Sequence, residues 1–182
     1  MVGFERTTSS GAGDVETAIV LISGDLTKMV PLLRIQSQCF TGEVLGSLRC
    51  DCGGQLELAM RTIASEECGL LIYEHQEGRG IGLMAKIQAY ALQDGGLDTI
   101  AANLALGYEA DYRDFSFPVA ILQHLEIFGV RLLSNNPGKL SALACAGIKI
   151  VERIPCEIHP TSLTHSYLRI KKEKMGHALT LL

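Results

Sequence analysis

Three of the six cysteines stand close together, as Cys39, Cys50 and Cys52. Thiolates grip zinc, and three protein ligands leave the fourth tetrahedral position to water, whose pKa such an ion lowers toward ~7. A structural zinc wants four ligands. The nearest candidates for a fourth are His75 and then Cys68, neither at finger-like spacing, and the gap between Cys50 and Cys52 is tighter than usual. The spacing alone therefore leaves three possibilities open: a catalytic zinc centre, a structural zinc with a distant fourth ligand, or unrelated thiols. Arg49 and Asp51 flank the cluster, with Arg49 either a donor behind the ligands or a loop charge in solvent. Cys68, Cys145 and Cys156 sit in apolar surroundings and read as small buried hydrophobes.

Three further segments carry polar chemistry. Gln76-Glu-Gly-Arg-Gly-Ile-Gly82 leaves a strand and enters a helix, where backbone N–H groups and the helix dipole favour a phosphate. It is neither a P-loop nor a dinucleotide fingerprint, and it could be an ordinary turn. Glu77 could accept from a base edge and Arg79 could clamp phosphate. Asp111 and Arg113, two apart, share a face of an extended loop, as a base beside a charge stabiliser or as a surface ion pair. Ser134-Asn-Asn-Pro-Gly-Lys139 also leads a strand into a helix, as a phosphate-end loop or an Asn-Pro turn.

The elements that must position these groups follow from periodicity. Apolar, β-branched runs predict strands over 17–23, 30–36, 69–73, 130–133 and 148–151. Helical spacing marks 55–64, 81–93, 118–128, 137–146 and 163–175, and Asp98 is placed to cap a short helix through Leu106. Strands and helices alternate through the second half, so the fold class is α/β, a single domain with a mixed β-sheet flanked by helices. Residues 1–16, rich in Thr, Ser and Gly, read as a flexible N-terminal segment ahead of a domain over 17–182.

The chain has 182 residues, 47% of them hydrophobic and 20% charged. A domain of this length buries roughly 70% of its extended-chain surface and needs no disulfides, and the composition is too apolar for disorder. No apolar run approaches the ~20 residues of a membrane span, and the first residues form no signal peptide, so a cytoplasmic, reducing compartment is expected. A formal charge of −4 argues against a nucleic-acid binder. It leaves an anionic small substrate open, because local Arg and Lys clusters decide that.

Together these segments resemble GTP cyclohydrolase II, the zinc enzyme family that opens riboflavin biosynthesis. The resemblance rests on Arg34-Ile-Gln-Ser-Gln-Cys39, Ser47-Leu-Arg-Cys-Asp-Cys-Gly53, Gln76-Glu-Gly-Arg-Gly-Ile-Gly-Leu83, Ala89-Tyr-Ala-Leu-Gln-Asp94, Ala102-Asn103, Asp111-Tyr-Arg-Asp-Phe115, Leu133-Ser-Asn-Asn-Pro137 and Lys174-Met-Gly-His177, in consistent order from about residue 17 to 177. It implies that Cys39, Cys50 and Cys52 hold one zinc ion, that the imidazole ring of GTP is opened, and that formate and pyrophosphate leave. The product implied is a diamino-ribosylamino-pyrimidinone phosphate. Tyr90 matches the family tyrosine at this chemistry, Asp111 the proton acceptor, and Arg113 the arginine described as nucleophile toward the α-phosphate. A guanidinium with pKa above ~12 is a poor nucleophile, so Arg113 is expected here mainly to stabilise phosphate charge. Arg34, Ile35, Gln36, Ser37, Gln38, Gln55, Glu77, Gly78, Arg79, Thr99, Ser134 and Lys139 match nucleotide-contacting positions. Magnesium with the triphosphate and a homodimer are implied as well, and at 182 residues the partner enzyme often fused upstream is expected to be absent.

Five positions depart from the family pattern. Gln36 stands where His is usual, Gln38 where Glu is usual, His75 where Arg is common, Ser134 where Thr is usual and Ile170 where Thr is usual. Gln38 removes a negative charge beside Cys39 and His75 a fixed positive one near the triphosphate. These changes motivate an alternative: a family paralogue with another purine nucleotide as substrate or a formylated ring-opened product. A third reading is a non-catalytic, zinc-stabilised nucleotide binder, against which the intact Asp111 and Arg113 pair counts.

Overall fold

The structure is a computed structural model that describes residues 1–7 and 15–182. Its strands are β1 (Val2–Thr7), β2 (Val15–Ser23), β3 (Leu32–Ser37), β4 (Gly69–Glu74), β5 (Gly129–Leu133) and β6 (Lys149–Ile154). Its helices are α1 (Phe40–Glu43), α2 (Cys52–Ser65), α3 (Leu83–Asp94), α4 (Thr99–Ala105), α5 (Ser116–His124), α6 (Pro137–Cys145) and α7 (His165–Met175), with a 3-10 turn at Glu77–Gly80. The strands form one mixed sheet in the order β1-β2-β4-β3-β5-β6. β4, β3, β5 and β6 run parallel, and β2 and β1 add antiparallel at one edge.

Alternation along the strands sends side chains to two cores. Leu33, Ile35, Leu70, Ile72, Val130 and Leu132 pack with Phe117, Ile121 and Leu122 of α5 and Leu143 of α6. On the other face Leu32, Leu71 and Leu133 pack with Ala59 and Ile63 of α2. The two faces thus fix α2 opposite α5 and α6.

The crossover from β3 through α2 goes to β4 on one side, and that from β5 through α6 goes to β6 on the other. Neighbouring β3 and β5 therefore send their chains in opposite directions, the arrangement that opens a crevice at the carboxyl ends of a parallel sheet. The two strands pair only at Leu32 with Arg131 and Leu33 with Leu132, then part. Two buried basic side chains fill the split: Arg34 Nη1 donates to the Leu133 carbonyl (3.2 Å) and Lys139 Nζ to the Ile35 carbonyl (2.7 Å).

Most expected elements are present within a few residues. Asp98 caps α4 as expected, its Oδ1 accepting from the N–H groups of Ile100 and Ala101, both at 2.9 Å. The helix expected over 118–128 ends earlier, because Glu126 adopts a left-handed φ of 57°. No strand was expected before residue 17, yet β1 pairs along its whole length with β2, and the boundary placed at residue 16 falls inside β2. Its short, largely exposed sequence hides it; the partner strand supplies the order. The rest of the expected flexible segment, residues 8–14, lies outside the described residues. Cys145, expected buried, is exposed: it lies two residues beyond the buried Leu143, on the opposite side of α6. Among the described residues no helix is long and apolar enough to cross a membrane.

Candidate active site

The chain leaving β3 brings Cys39 to the mouth of the crevice, and the loop after α1 returns Cys50 and Cys52 against it. The three sulfurs lie within 4.8 Å of one another, with Cys39 and Cys50 3.6 Å apart. A tetrahedral zinc with bonds of about 2.3 Å spaces its sulfurs about 3.8 Å apart, so the donor set fits a metal ion. Gly42 makes this approach possible: a Cβ there would stand 3.0 Å from the Cys50 sulfur and 3.2 Å from that of Cys39. Among the described residues no fourth His, Cys, Asp or Glu joins the group. Cys68 sits at the opposite end of β4, and His75 is exposed, with Nδ1 3.2 Å from Gln38 Oε1. Of the three possibilities left by the spacing, the geometry favours three ligands with one side open.

Hydrogen bonds from the Cys50 and Cys52 thiols, together with the Lys86 ammonium at 3.2 Å, hold the Cys39 thiol far below its usual range. The same sharing pushes Cys50 and Cys52 up. Lys86 also forms a buried pair with Glu77 at 2.7 Å. Glu77 is fully engaged, accepting further from the N–H groups of Phe40 (2.6 Å) and Gly78 (2.9 Å). It therefore ties the glycine-rich loop to the Cys39 loop. Tyr90 reaches the cluster through Thr41, whose hydroxyl lies 3.1 Å from the phenol and 3.8 Å from the Cys39 sulfur. Arg49 stacks 4.8 Å above the Tyr90 ring and pairs with Asp94 at 2.7 Å, so it is neither free in solvent nor bonded to a ligand.

A buried relay runs beneath the cleft. Lys171 of α7 donates to Asp51 (2.9 Å), Asp51 accepts from Gln55, Gln55 accepts from Arg34 (2.9 Å), and Arg34 donates to Gln36 Oε1 (2.6 and 2.9 Å). Gln36 Nε2 then donates to Glu43 (2.6 Å), which also accepts from the Cys39 N–H (3.1 Å) and the Tyr73 hydroxyl (2.6 Å). Gln36 can bridge a guanidinium and a carboxylate because an amide both accepts and donates. The relay fixes both arms of the cysteine cluster, through Glu43 at Cys39 and through Asp51 between Cys50 and Cys52.

The other end of the cleft is cationic. Arg79, Arg113 and Lys139 line it, beside Asn135, Asn136 and the N-terminus of α6, which Asn136 caps (Oδ1 to Gly138 N, 2.8 Å). Arg113 donates twice to Asp111, at 2.8 and 2.5 Å. Burial opposes charge on both partners, but their mutual attraction outweighs it, holding Asp111 below the usual carboxylate range and Arg113 above the usual guanidinium range. Burial, reinforced by Arg34 and Arg113, pushes Lys139 well below its usual range. Burial pushes Glu74 up to about 7, so it only partly offsets Lys139 and Arg113. Arg79 adopts a φ of 62°, and its buried Nη2 has no hydrogen-bond partner. A buried guanidinium nitrogen without an acceptor marks a place where a ligand can supply one.

Of the residues singled out from sequence, Arg34, Gln36, Ser37, Gln38, Gln55, Glu77, Gly78, Arg79, Thr99, Ser134, Lys139, Tyr90, Arg113 and the three cysteines line this single cleft. Ile35 points into the core and offers only its carbonyl, while Asp111 stands behind Arg113. Lys86, Tyr167 and Lys171 also line the cleft and were not singled out, and Asn103 and His177, which belong to segments carrying the resemblance, line it without having been given a site role. Lys86 sits on the same helix as Tyr90, four residues earlier, and that spacing could have found it; nothing local marks Lys171.

The family model described as GTP cyclohydrolase II matches residues 1–155. The chain is 54% identical over 162 residues to the GTP cyclohydrolase-2 of Buchnera aphidicola subsp. Schizaphis graminum, covering 88% of this chain and 83% of that one. It is 48% identical over 180 residues to the GTP cyclohydrolase-2 of Proteus mirabilis, covering 98% and 88%. It is also 49% identical over 162 residues to the riboflavin biosynthesis protein RibBA of Parabacteroides distasonis, where it spans 88% of this chain but 40% of the relative.

Proposed function

The chain belongs to the GTP cyclohydrolase II family of hydrolases, and from that premise we propose that it opens the imidazole ring of GTP, releasing formate and pyrophosphate in the first step of riboflavin biosynthesis. The observation that carries the reading is one cleft with a three-sulfur cluster at one end and a cationic, partly unpartnered wall at the other. That pairing suits a nucleotide whose base must meet a metal while its phosphates meet fixed positive charge.

In this proposal Cys39, Cys50 and Cys52 hold zinc. Bound there, zinc supplies Lewis acidity and lowers the pKa of water for attack at C8 of the purine. Lys86 offsets thiolate charge at Cys39, and the Tyr90 phenol, kept neutral by burial, stands beside Thr41 ready to orient a polar group. Arg34, Arg79, Lys139 and the α6 N-terminus bind the triphosphate with magnesium, and Ser37, Gln38, Thr99 and Ser134 line its path. Asp111 is a carboxylate at neutral pH, competent to accept a proton, and it orients Arg113. With its charge reinforced by Asp111, Arg113 stabilises phosphate charge rather than attacking phosphorus. Trapping a phosphoguanylyl adduct on Arg113 would refute that assignment. Exposed Val44, Leu45, Leu48 and Met84 offer apolar surface for the homodimer that belongs to the same reading.

The test is metal analysis followed by product identification with GTP and magnesium: bound zinc, formate and pyrophosphate are expected, and absence of both products sinks the proposal. One observation supports the alternative substrate. Two departures from the family pattern, Gln38 and His75, touch each other at the cleft mouth. A purine-nucleotide panel read by mass spectrometry decides, since preference for GTP with the same products eliminates it. Turnover abolished by Asp111→Ala would likewise dispose of a non-catalytic nucleotide binder.

A further inference from the structure

One ring at the cationic end has no role in the chemistry above. His177 follows the C-terminal turn of α7, where Gly176 takes a left-handed φ of 64°. Its N–H donates to the Lys171 carbonyl (3.0 Å), the next N–H, of Ala178, donates to the Asn135 carbonyl (3.0 Å), and Leu179 beyond it is buried. The backbone is thus pinned between α7 and the loop after β5, which holds the imidazole against the cleft. Among the described residues neither ring nitrogen has a hydrogen-bond partner.

Lining the same cleft as this ring are Lys171 and Tyr167 from α7, Lys139 from α6, Arg113 from the segment after α4 and Arg79 from the 3-10 turn. The carboxylates nearby are engaged elsewhere: Asp51 with Lys171, Asp111 with Arg113, and Glu74 with Gln76 and Ser37. Resting on the functional reading above, we infer that His177 is a substrate-responsive member of the phosphate site, neutral in the free protein and protonated from solvent as the nucleotide's phosphates enter. The added proton sits on a ring nitrogen and turns an unpartnered imidazole into a cationic donor to a phosphate oxygen.

In the free protein burial and the surrounding cations push His177 down to about 3. Polyphosphate entering the cleft neutralises those cations and adds negative charge, so the field on the ring reverses sign. A histidine suits this position better than another lysine, because it adds no repulsion until the ligand arrives.

Calorimetry of inorganic tripolyphosphate binding to the metal-loaded protein at about pH 6, in buffers of different ionisation enthalpy, reads the proton count directly. The wild type is expected to take up about one proton more per site than His177→Gln, whereas a merely structural histidine would leave the count unchanged. An equal count in both proteins overturns the inference. Nuclear magnetic resonance of the five histidines in the unaltered protein needs no variant. One ring is expected to stay silent from about pH 5 to 8 without ligand and to titrate with tripolyphosphate present, and five ordinary titrations in the free protein overturn it. If neither tripolyphosphate nor GTP binds at all, the functional reading falls and this inference with it. If they bind with no change of charge at His177, this inference alone falls.

Discussion

The two ends of the cleft are built on opposite electrostatic terms. At the sulfur end each charge has a partner inside the protein: Cys39 has Lys86, Lys86 has Glu77, Glu77 has two backbone N–H groups, and Arg49 has Asp94. At the phosphate end Arg34 and Arg79 have no carboxylate partner among the described residues, Lys139 has only a carbonyl and a half-protonated Glu74, and Arg79 Nη2 has nothing. The first end is complete as a donor set before any substrate arrives. The second holds positive charge in low dielectric, a destabilising arrangement that an anionic ligand relieves. A site for a resident ion and a site for a passing one can be told apart by that difference.

Breaking the sulfur end should have the largest effect. Cys39→Ala is expected to lose the metal and lower kcat/KM for formate release by on the order of 1000-fold or more, while tripolyphosphate still binds. Metal content and calorimetry check both halves; a matching loss of tripolyphosphate affinity would mean that the two ends are one unit. Arg79→Gln should do the reverse, weakening nucleotide binding by on the order of 10-fold to 100-fold with metal content unchanged, because it removes a charged donor that has no other acceptor at Nη2.

The third contrast is between acid and neutral pH. The folded protein holds His177 at about 3, whereas an unfolded histidine titrates near ~6.5, so between these values the unfolded chain binds the extra proton. The stability His177 contributes is therefore whole above about pH 6.5 and is lost as pH falls toward 3. His177→Gln should remove about 2–3 kcal/mol of the stability lost between about pH 7 and 4.5, read by urea unfolding at the two pH values. The smallest effect sits at the mouth. Gln38→Glu and His75→Arg, made singly and together, should show coupling of about 0.5–1 kcal/mol in GTP binding, since the side chains touch. Strict additivity would make the two departures independent.

The same contrast sets what could be read early. The sulfur end comes mainly from residues 39–52, and its ligands are chemically distinctive and near in sequence. Asp98 declared itself because a cap acts within three residues of itself. Lys171, by contrast, lies in a polar helix rich in Lys, yet it is buried against Asp51, 120 residues away. Glu43 carries no local signal either, and His177, though it ends a segment that carries the resemblance, gets its place in the cleft only from the loop after β5.

Sequence by itself determined the mixed α/β order, the three thiols and the arginine-bearing loops, because periodicity, capping and ligand type are short-range properties of the chain. Tertiary structure alone decided that β3 and β5 part above Leu33, that Arg34 and Lys139 fill the split, and that α7 delivers Lys171 and His177 to the cleft. These are consequences of which strands pair and which way their crossovers turn, and the energy that selects them is spread over two apolar cores rather than written at any one residue.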